Sequence, residues 1–151
     1  MADPLLVVLM VLHVAVAATA FGITLPVGSA LKRASGRGRE VKSAVATMAA
    51  RSGQLAGIFG VLTLVTGLVL IFYLGGFAVV SKTIHAAMGI IVVMILHGAF
   101  FMRPAGNRIL AAVEQDEAAW EAARKRYAMG HGIMSLMWLA ILVLMFIKTR
   151  A

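Results

Sequence analysis

Four stretches of this chain are long and apolar enough to cross a lipid bilayer, and they limit what it can fold into. They cover residues 5–31, 55–79, 83–102 and 128–147. Each supplies the roughly 20 apolar residues that cross about 30 Å of hydrocarbon as a helix. The chain is therefore predicted to be all-α: a single domain over residues 1–151, folded as an integral membrane four-helix bundle in up-and-down order.

The basic residues lie mainly on one side of this predicted bundle. Eleven of the fourteen Lys and Arg residues fall in the two long connections, between spans one and two and between spans three and four. Only Lys82, Lys148 and Arg150 fall on the other side. Such asymmetry marks the cytoplasmic side, so both termini are predicted to lie outside. The excess positive charge then faces lipid phosphates, and no nucleic-acid partner is expected.

Composition excludes several kinds of chemistry. The chain has no cysteine, which excludes disulfides, thiolate metal sites and iron–sulfur clusters. None of the acidic residues falls inside a span, so a buried acid–base pair of carboxylates is not expected. A bound redox cofactor stays open, because it needs ligands rather than acids.

All four histidines, His13, His85, His97 and His131, fall within or at the edge of an apolar stretch. An ionisable side chain in such a place is costly, so each is a candidate metal ligand. At about 1.5 Å per residue along oppositely directed helices, His13 lies about 12 Å and His85 about 5 to 7 Å below the outer surface. Two histidines at similar depth can hold the iron of haem b. His13 with His85 is the first candidate pair, and the other two histidines form the second.

The spacing of the histidines favours one haem over two. His97 is rotated by about 120° from His85 around the helix, whereas two stacked haems need ligands on nearly the same face. The alternative for each histidine is a hydrogen bond to a neighbouring helix, worth about 1 kcal/mol. This alternative stays open for all four, and above all for His97 and His131.

Small residues give two spans a face that can be approached closely. Gly57, Gly60 and Gly67 lie on span two, and Gly89 lies one turn from His85 on span three. Such faces admit a neighbouring helix or a flat macrocycle. The four glycines are therefore candidates both for helix packing and for cofactor binding.

Methionines on span four leave a copper site open. Met129, Met134 and Met137 accompany His131, and thioether with imidazole is a reasonable ligand set for Cu(I). The ordinary role of methionine is to fill gaps between packed helices. A third interpretation is that Met134 or Met137 is an axial haem ligand.

Turn-forming residues separate the spans. Residues 35–38 predict a turn after span one, residues 75–76 a tight external link, and residues 104–107 a turn after span three. The apolar periodicity of the flanking segments predicts that spans two and four extend past the bilayer as helices.

Short motifs in three spans carry a resemblance to a known family. The first is Leu12 and His13, followed by small residues up to Gly22. The second is the run Leu62, Thr63, Thr66, Gly67 and Leu68. The third begins with His85, Ala86 and Ala87 and continues to His97 and Gly98. In these motifs the chain resembles the HemJ-type protoporphyrinogen oxidases and the related CopD-like membrane domains, small bacterial proteins of four spans. The resemblance implies a haem-binding bundle in the bacterial inner membrane, with His13 and span three supplying ligands.

The chain departs from the HemJ-type pattern at three places. That family usually has a tryptophan soon after the first-helix histidine, where this chain has Ala17 and Ala18. It usually has a basic residue after the third-helix histidine, where this chain has Ala87, and an Asn-Glu pair opening helix four, where this chain has Gly130 and His131. The resemblance therefore supports haem binding more strongly than it supports the oxidase activity.

The leading expectation is a small membrane protein like a b-type cytochrome, which binds haem b and transfers electrons, with quinone as a candidate redox partner. Three alternatives stay open: an accessory structural subunit of a larger respiratory or photosynthetic complex, a HemJ-like oxidase, and a CopD-like copper permease. If the protein is an enzyme, it is a membrane oxidoreductase. The lipid bilayer is an expected partner in every case, and a homo-oligomer or a larger membrane complex is also open.

Overall fold

The computed structural model describes residues 3–147, and all regular secondary structure in that range is helical. In chain order the elements are α1 (Pro4–Gly22), α2 (Leu25–Ala34), α3 (Arg39–Tyr73), α4 (Lys82–His97), a π-helical turn (Gly98–Met102), α5 (Arg103–Ala112) and α6 (Glu117–Phe146). They form four rods that are long and apolar enough to cross a membrane: Pro4–Ala34, Arg39–Tyr73, Lys82–Ala112 and Glu117–Phe146. The predicted all-α class is confirmed, and the four rods indicate a multi-pass membrane protein.

The first rod is broken just before Pro26. Proline lacks an N–H, and its ring clashes with the carbonyl of the residue one turn earlier, which here is Gly22. The Thr24 hydroxyl caps the break by donating to the carbonyl of Phe21 at 2.8 Å. The carbonyl of Thr24 accepts the backbone N–H of Val27 at 3.2 Å and keeps a second lone pair for a donor from another helix.

The third rod continues where the sequence predicts a turn. Residues 104–107 lie inside α5, so that prediction is wrong. Pro104 occupies the first turn of this helix, where its missing N–H costs nothing. The π-helical turn before it keeps the rod continuous from α4 into α5. Proline and glycine at this position therefore mark a helix start rather than a helix end.

The other two predicted turns are confirmed, and both use glycine in the left-handed region. Gly36 has a φ of 70°, and Gly75 and Gly76 have φ values of 111° and 91°. Residues with a Cβ rarely adopt such angles. The glycine pair ends α3 at Tyr73, before the limit predicted at residue 79.

Two hydrophobic clusters join the helices. The larger lies at the end of the molecule that carries the two long basic connections, and it includes Leu31, Ile109 and Trp120. The smaller includes Ala20 and Trp138 and lies within the apolar stretches. Along the rods, α1 packs against α3, and α4 packs against α6. Only 6% to 17% of the most apolar window of each rod is buried, so most of these side chains lie on the surface of the chain.

Ion pairs tie the first connection to the start of α6. Lys42 is only 8% exposed, and its Nζ donates to Glu117 at 2.5 Å. Glu121 accepts from the guanidinium of Arg124 at 2.6 Å and from the hydroxyl of Ser35. The basic connections are therefore folded parts of the protein rather than loose linkers.

Candidate functional site

A cavity of about 570 Å³, here called the His131 cavity, lies between α3, the third rod and α6. Its α3 wall includes Gly53, Gly57 and Gly60. A Cβ atom added at Gly53 or Gly57 would meet no atom within 4 Å, and one at Gly60 would lie 3.9 Å from Ile95. Within this chain the glycine face therefore creates open space rather than a close helix–helix contact.

A second part of the lining is apolar and rich in methionine. Met94 and Met102 from the third rod and Met134 and Trp138 from α6 form it. The π-helical turn contributes to this part. Such turns often occur at functional sites, because they displace one residue from the regular helical pattern.

Polar side chains line the cavity toward the basic end of the molecule. They are Gln54 on α3, Arg103 and Asn107 on α5, and Tyr127 and His131 on α6. The Tyr127 hydroxyl donates to a backbone carbonyl of α3 at 3.2 Å, so it serves packing. The first three are exposed.

His131 is held by two contacts. Its Nε2 lies 2.9 Å from the carbonyl oxygen of Thr24, at the break in the first rod, and its ring stacks on Tyr127 with centroids 6.5 Å apart. A carbonyl can only accept, so Nε2 carries the proton and Nδ1 keeps a lone pair. Histidines that bind metals commonly donate their other ring N–H to a backbone carbonyl in this way.

His97 contacts the same turn of α6 but does not line the cavity. Its Nε2 donates to the carbonyl of Gly130 at 3.1 Å, and its ring stacks on Phe101 at 5.1 Å. The structure therefore brings the predicted inner pair, His97 and His131, to one turn of α6. Of the two, His131 faces the cavity.

His13 lies on the face of α1 that packs against α3. Its Nδ1 is 2.9 Å from the hydroxyl oxygen of Thr66, and that hydroxyl donates to the carbonyl of Leu62 at 2.9 Å. Thr66 must then accept from Nδ1–H, which leaves a lone pair on Nε2 of His13. A Cβ added at Gly67 would lie 3.2 Å from Cε1 of this ring, so Gly67 makes room for the histidine.

His85 is exposed near the start of α4. Its Nδ1 donates to the carbonyl of Ser81 at 3.0 Å, and its ring centroid is 5.8 Å from that of Phe77. The predicted outer pair is not joined by these contacts, because His13 turns toward α3 and His85 is bonded to Ser81, the residue that precedes its own helix. The ligand roles of both stay predictions.

The remaining candidates lie elsewhere. Gly89 and Met137 line a shallower apolar groove between α4 and α6, whereas Met134 lines the His131 cavity. Of the three thioethers named for copper, Met134 and Met137 thus line different places, and Met129 lines neither. Residues 3–147 contain no group of three or more histidine or carboxylate side chains that could hold a metal ion.

Sequence reasoning singled out His131, Gly57 and Gly60 but missed the polar residues that share their cavity. Gln54 and Arg103 stand at the edges of predicted spans, where polar residues are ordinary. One signal was available: Gln54 lies within a turn of the candidate Gly57, and Arg103 directly precedes the proline in the first turn of α5.

Comparisons with protein-family models, with curated proteins and with solved structures find no match. The resemblance to HemJ-type and CopD-like proteins therefore stays a prediction. The function has to be inferred from the geometry of the chain itself.

Proposed function

We propose that this protein is a small b-type haem-binding protein of the bacterial inner membrane that takes part in electron transfer. The observation that carries the proposal is the His131 cavity. Its volume of about 570 Å³ falls within the roughly 300 to 1,000 Å³ of small-molecule sites. The cavity combines an open glycine wall, an apolar methionine-rich wall and one imidazole.

These residues fit a haem with one imidazole ligand. His131 would hold the iron through Nδ1, while the Thr24 carbonyl fixes the tautomer and makes the imidazole a stronger donor. The thioethers of Met94, Met102 and Met134 are candidates for a second ligand. Bound there, haem would supply one-electron transfer.

The glycine wall fits the shape of such a ring. Gly57 and Gly60 line the cavity, and the space in front of Gly57 is empty. A flat macrocycle can lie against a helix face that has no side chains. Of the four candidate glycines, Gly57 and Gly60 are therefore proposed to contact the haem, and a single haem is proposed to bind.

The orientation in the membrane belongs to the same proposal. Eleven of the fourteen basic residues lie in the two long connections, which favours a cytoplasmic position for both of them and an external position for both termini. The up-and-down order follows from this distribution. The His131 cavity would then lie toward the cytoplasmic side, with quinone in the same bilayer as the proposed redox partner.

The test is the optical spectrum of the detergent-purified protein, oxidised and then reduced. The reduced protein should show a Soret band with sharp α and β bands. His131→Ala should lose these bands, whereas His85→Ala, matched in size and charge, should keep them. A colourless, fully folded preparation from haem-replete cells would overturn the proposal. Loss of the bands in His85→Ala alone would move the haem to the predicted outer pair.

A second candidate, an accessory subunit of a larger membrane complex, is favoured by the groove between α4 and α6. This groove is almost entirely apolar and contains Gly89, Val93 and Leu136. Small residues at such a surface allow a partner helix to approach closely. Co-purification of a stoichiometric partner that persists after replacement of all four histidines would favour this function over haem binding.

A further inference from the structure

We propose that the ligand of the His131 cavity carries a carboxylate group and that Arg103 binds this carboxylate. The inference rests on the proposed function and adds the chemistry of one end of the ligand. It follows from three observations: where Arg103 lies, what it is bonded to, and which side chains accompany it.

Arg103 connects the cavity with the polar end of the bundle. It is the first residue of α5 and directly follows the π-helical turn, whose Gly98 and Met102 line the same cavity. The residue is both exposed and part of the lining. A bound molecule can therefore keep its apolar part against the glycine wall while its charged part reaches the guanidinium.

The guanidinium of Arg103 has no acidic partner within residues 3–147. Three carboxylates of the basic end pair with other cations, namely Glu114 with Arg39, Glu117 with Lys42, and Glu121 with Arg124. The backbone N–H of Arg103 donates to the carbonyl of Gly98, whereas its guanidinium makes no hydrogen bond within the described part of the chain. A guanidinium beside a cavity, with its planar set of donors free, is suited to bind a carboxylate through two parallel hydrogen bonds.

Two amide side chains accompany Arg103. Gln54 on α3 and Asn107, one turn further along α5, line the same cavity. Each carries an NH₂ group that can donate to an anion. At its polar end the cavity therefore has hydrogen-bond donors from both α3 and α5. At the other end its interior is apolar.

This arrangement distinguishes between ring molecules. Haem b carries two propionates at one edge of an apolar ring and matches both ends of the cavity. A quinone ring carries no carboxylate and would leave Arg103 without a partner. The inference therefore selects an acidic macrocycle as the ligand class.

The test compares iron protoporphyrin IX with its dimethyl ester, in which both carboxylates are masked. Each is titrated into the purified full-length chain in a non-ionic detergent, which removes lipid phosphate as a competing anion. The wild-type protein should bind the diacid about tenfold more tightly than the ester, as a charge-assisted pair predicts. Arg103→Gln should abolish this preference. Arg108→Gln, an exposed arginine of the same helix that does not line the cavity, should keep it.

The outcomes separate the two proposals. If the wild-type protein binds both compounds equally, or if Arg103→Gln keeps the preference, the carboxylate role is overturned and haem binding stands. If the folded wild-type protein binds neither compound, the proposed function fails and the inference fails with it. If Arg103→Gln does not fold, Arg103→Lys takes its place. Lysine keeps the charge but not the paired donors, so this variant should show a smaller preference for the diacid over the ester.

Discussion

At Gly130, α6 lies close against side chains of the third rod. A Cβ atom there would lie 2.6 Å from the sulfur of Met102 and 2.6 Å from the ring of Phe101. The carbonyl of the same residue accepts from His97 at 3.1 Å. The absence of a side chain at Gly130 thus positions α6, and with it the neighbouring His131.

Replacement of Gly130 by alanine should destabilise the protein. The new methyl group would push against Met102 and Phe101, and overpacking of this kind costs about 1 to 3 kcal/mol. Gly132→Ala is the matched control, because a Cβ there meets nothing within 4 Å and alanine is the better helix former by about 1 kcal/mol. Thermal unfolding in detergent, followed by tryptophan fluorescence, should show a lower Tm for Gly130→Ala only. Equal Tm values for the two variants would contradict the close approach.

At the level of single residues, the sequence identified the cavity histidine but not its role. It identified His131 because an imidazole in an apolar helix is unusual. It did not predict the bond to Thr24, because that bond depends on how the break in the first rod places the Thr24 carbonyl against α6. It also did not show which histidines face one cavity, since the rotation of each helix is set by its packing.

The start of α6 is fixed by charged hydrogen bonds outside the apolar stretches. Bonds from Arg124 and from the Ser35 hydroxyl lower the pKa of Glu121 from 4.5 to about 2. The folded protein thus favours the ionised form of the Glu121 side chain over the protonated form. Stability from this source is fully present above about pH 4.5 and is lost as the pH falls toward 2.

The protein should therefore lose stability in acid, and Glu121 should account for part of that loss. The Tm of the wild-type protein should fall between about pH 4.5 and about pH 2, whereas Glu121→Gln should show a smaller fall because it has no proton to gain. Glu40→Gln, an exposed position on α3, is the control and should keep the wild-type slope. An identical pH dependence in wild type and Glu121→Gln would show that the hydrogen bonds do not stabilise the fold.

Helix limits were the least predictable feature at the level of elements. The apolar stretches predict four rods because their length and composition leave little choice in lipid. The run at residues 104–107 misleads, because proline and glycine are as compatible with the first turn of a helix as with a loop. The π-helical turn at residues 98–102 has no comparable signal in the sequence.

As a whole, the molecule combines an apolar, mostly exposed part with a packed polar end. The apolar stretches bury few of their side chains within the chain, whereas the polar end has fully covered residues such as Trp120 and Ile109. Charge distribution predicts that this end is cytoplasmic. Its position relative to the membrane can be tested directly.

Single cysteines can report the topology, because the chain has none of its own. Arg37→Cys places a thiol in the exposed turn between α2 and α3, and Ala78→Cys places one in the exposed link between α3 and α4. In intact cells a membrane-impermeant maleimide should label only Ala78→Cys, and in opened membranes it should label both. Labelling of Arg37→Cys in intact cells would reverse the predicted orientation.

Filling the His131 cavity tests whether this cavity holds the haem. In Gly57→Leu the new side chain enters empty space, so the fold should persist while the ring loses its place. Gly132→Leu, an exposed and equally uncrowded position outside the cavity, is the control. Titration with haem should show binding at least about tenfold weaker in Gly57→Leu and unchanged in Gly132→Leu, with both variants unfolding near the wild-type Tm. If folded Gly57→Leu binds haem as tightly as the wild-type protein does, the haem does not lie in the His131 cavity.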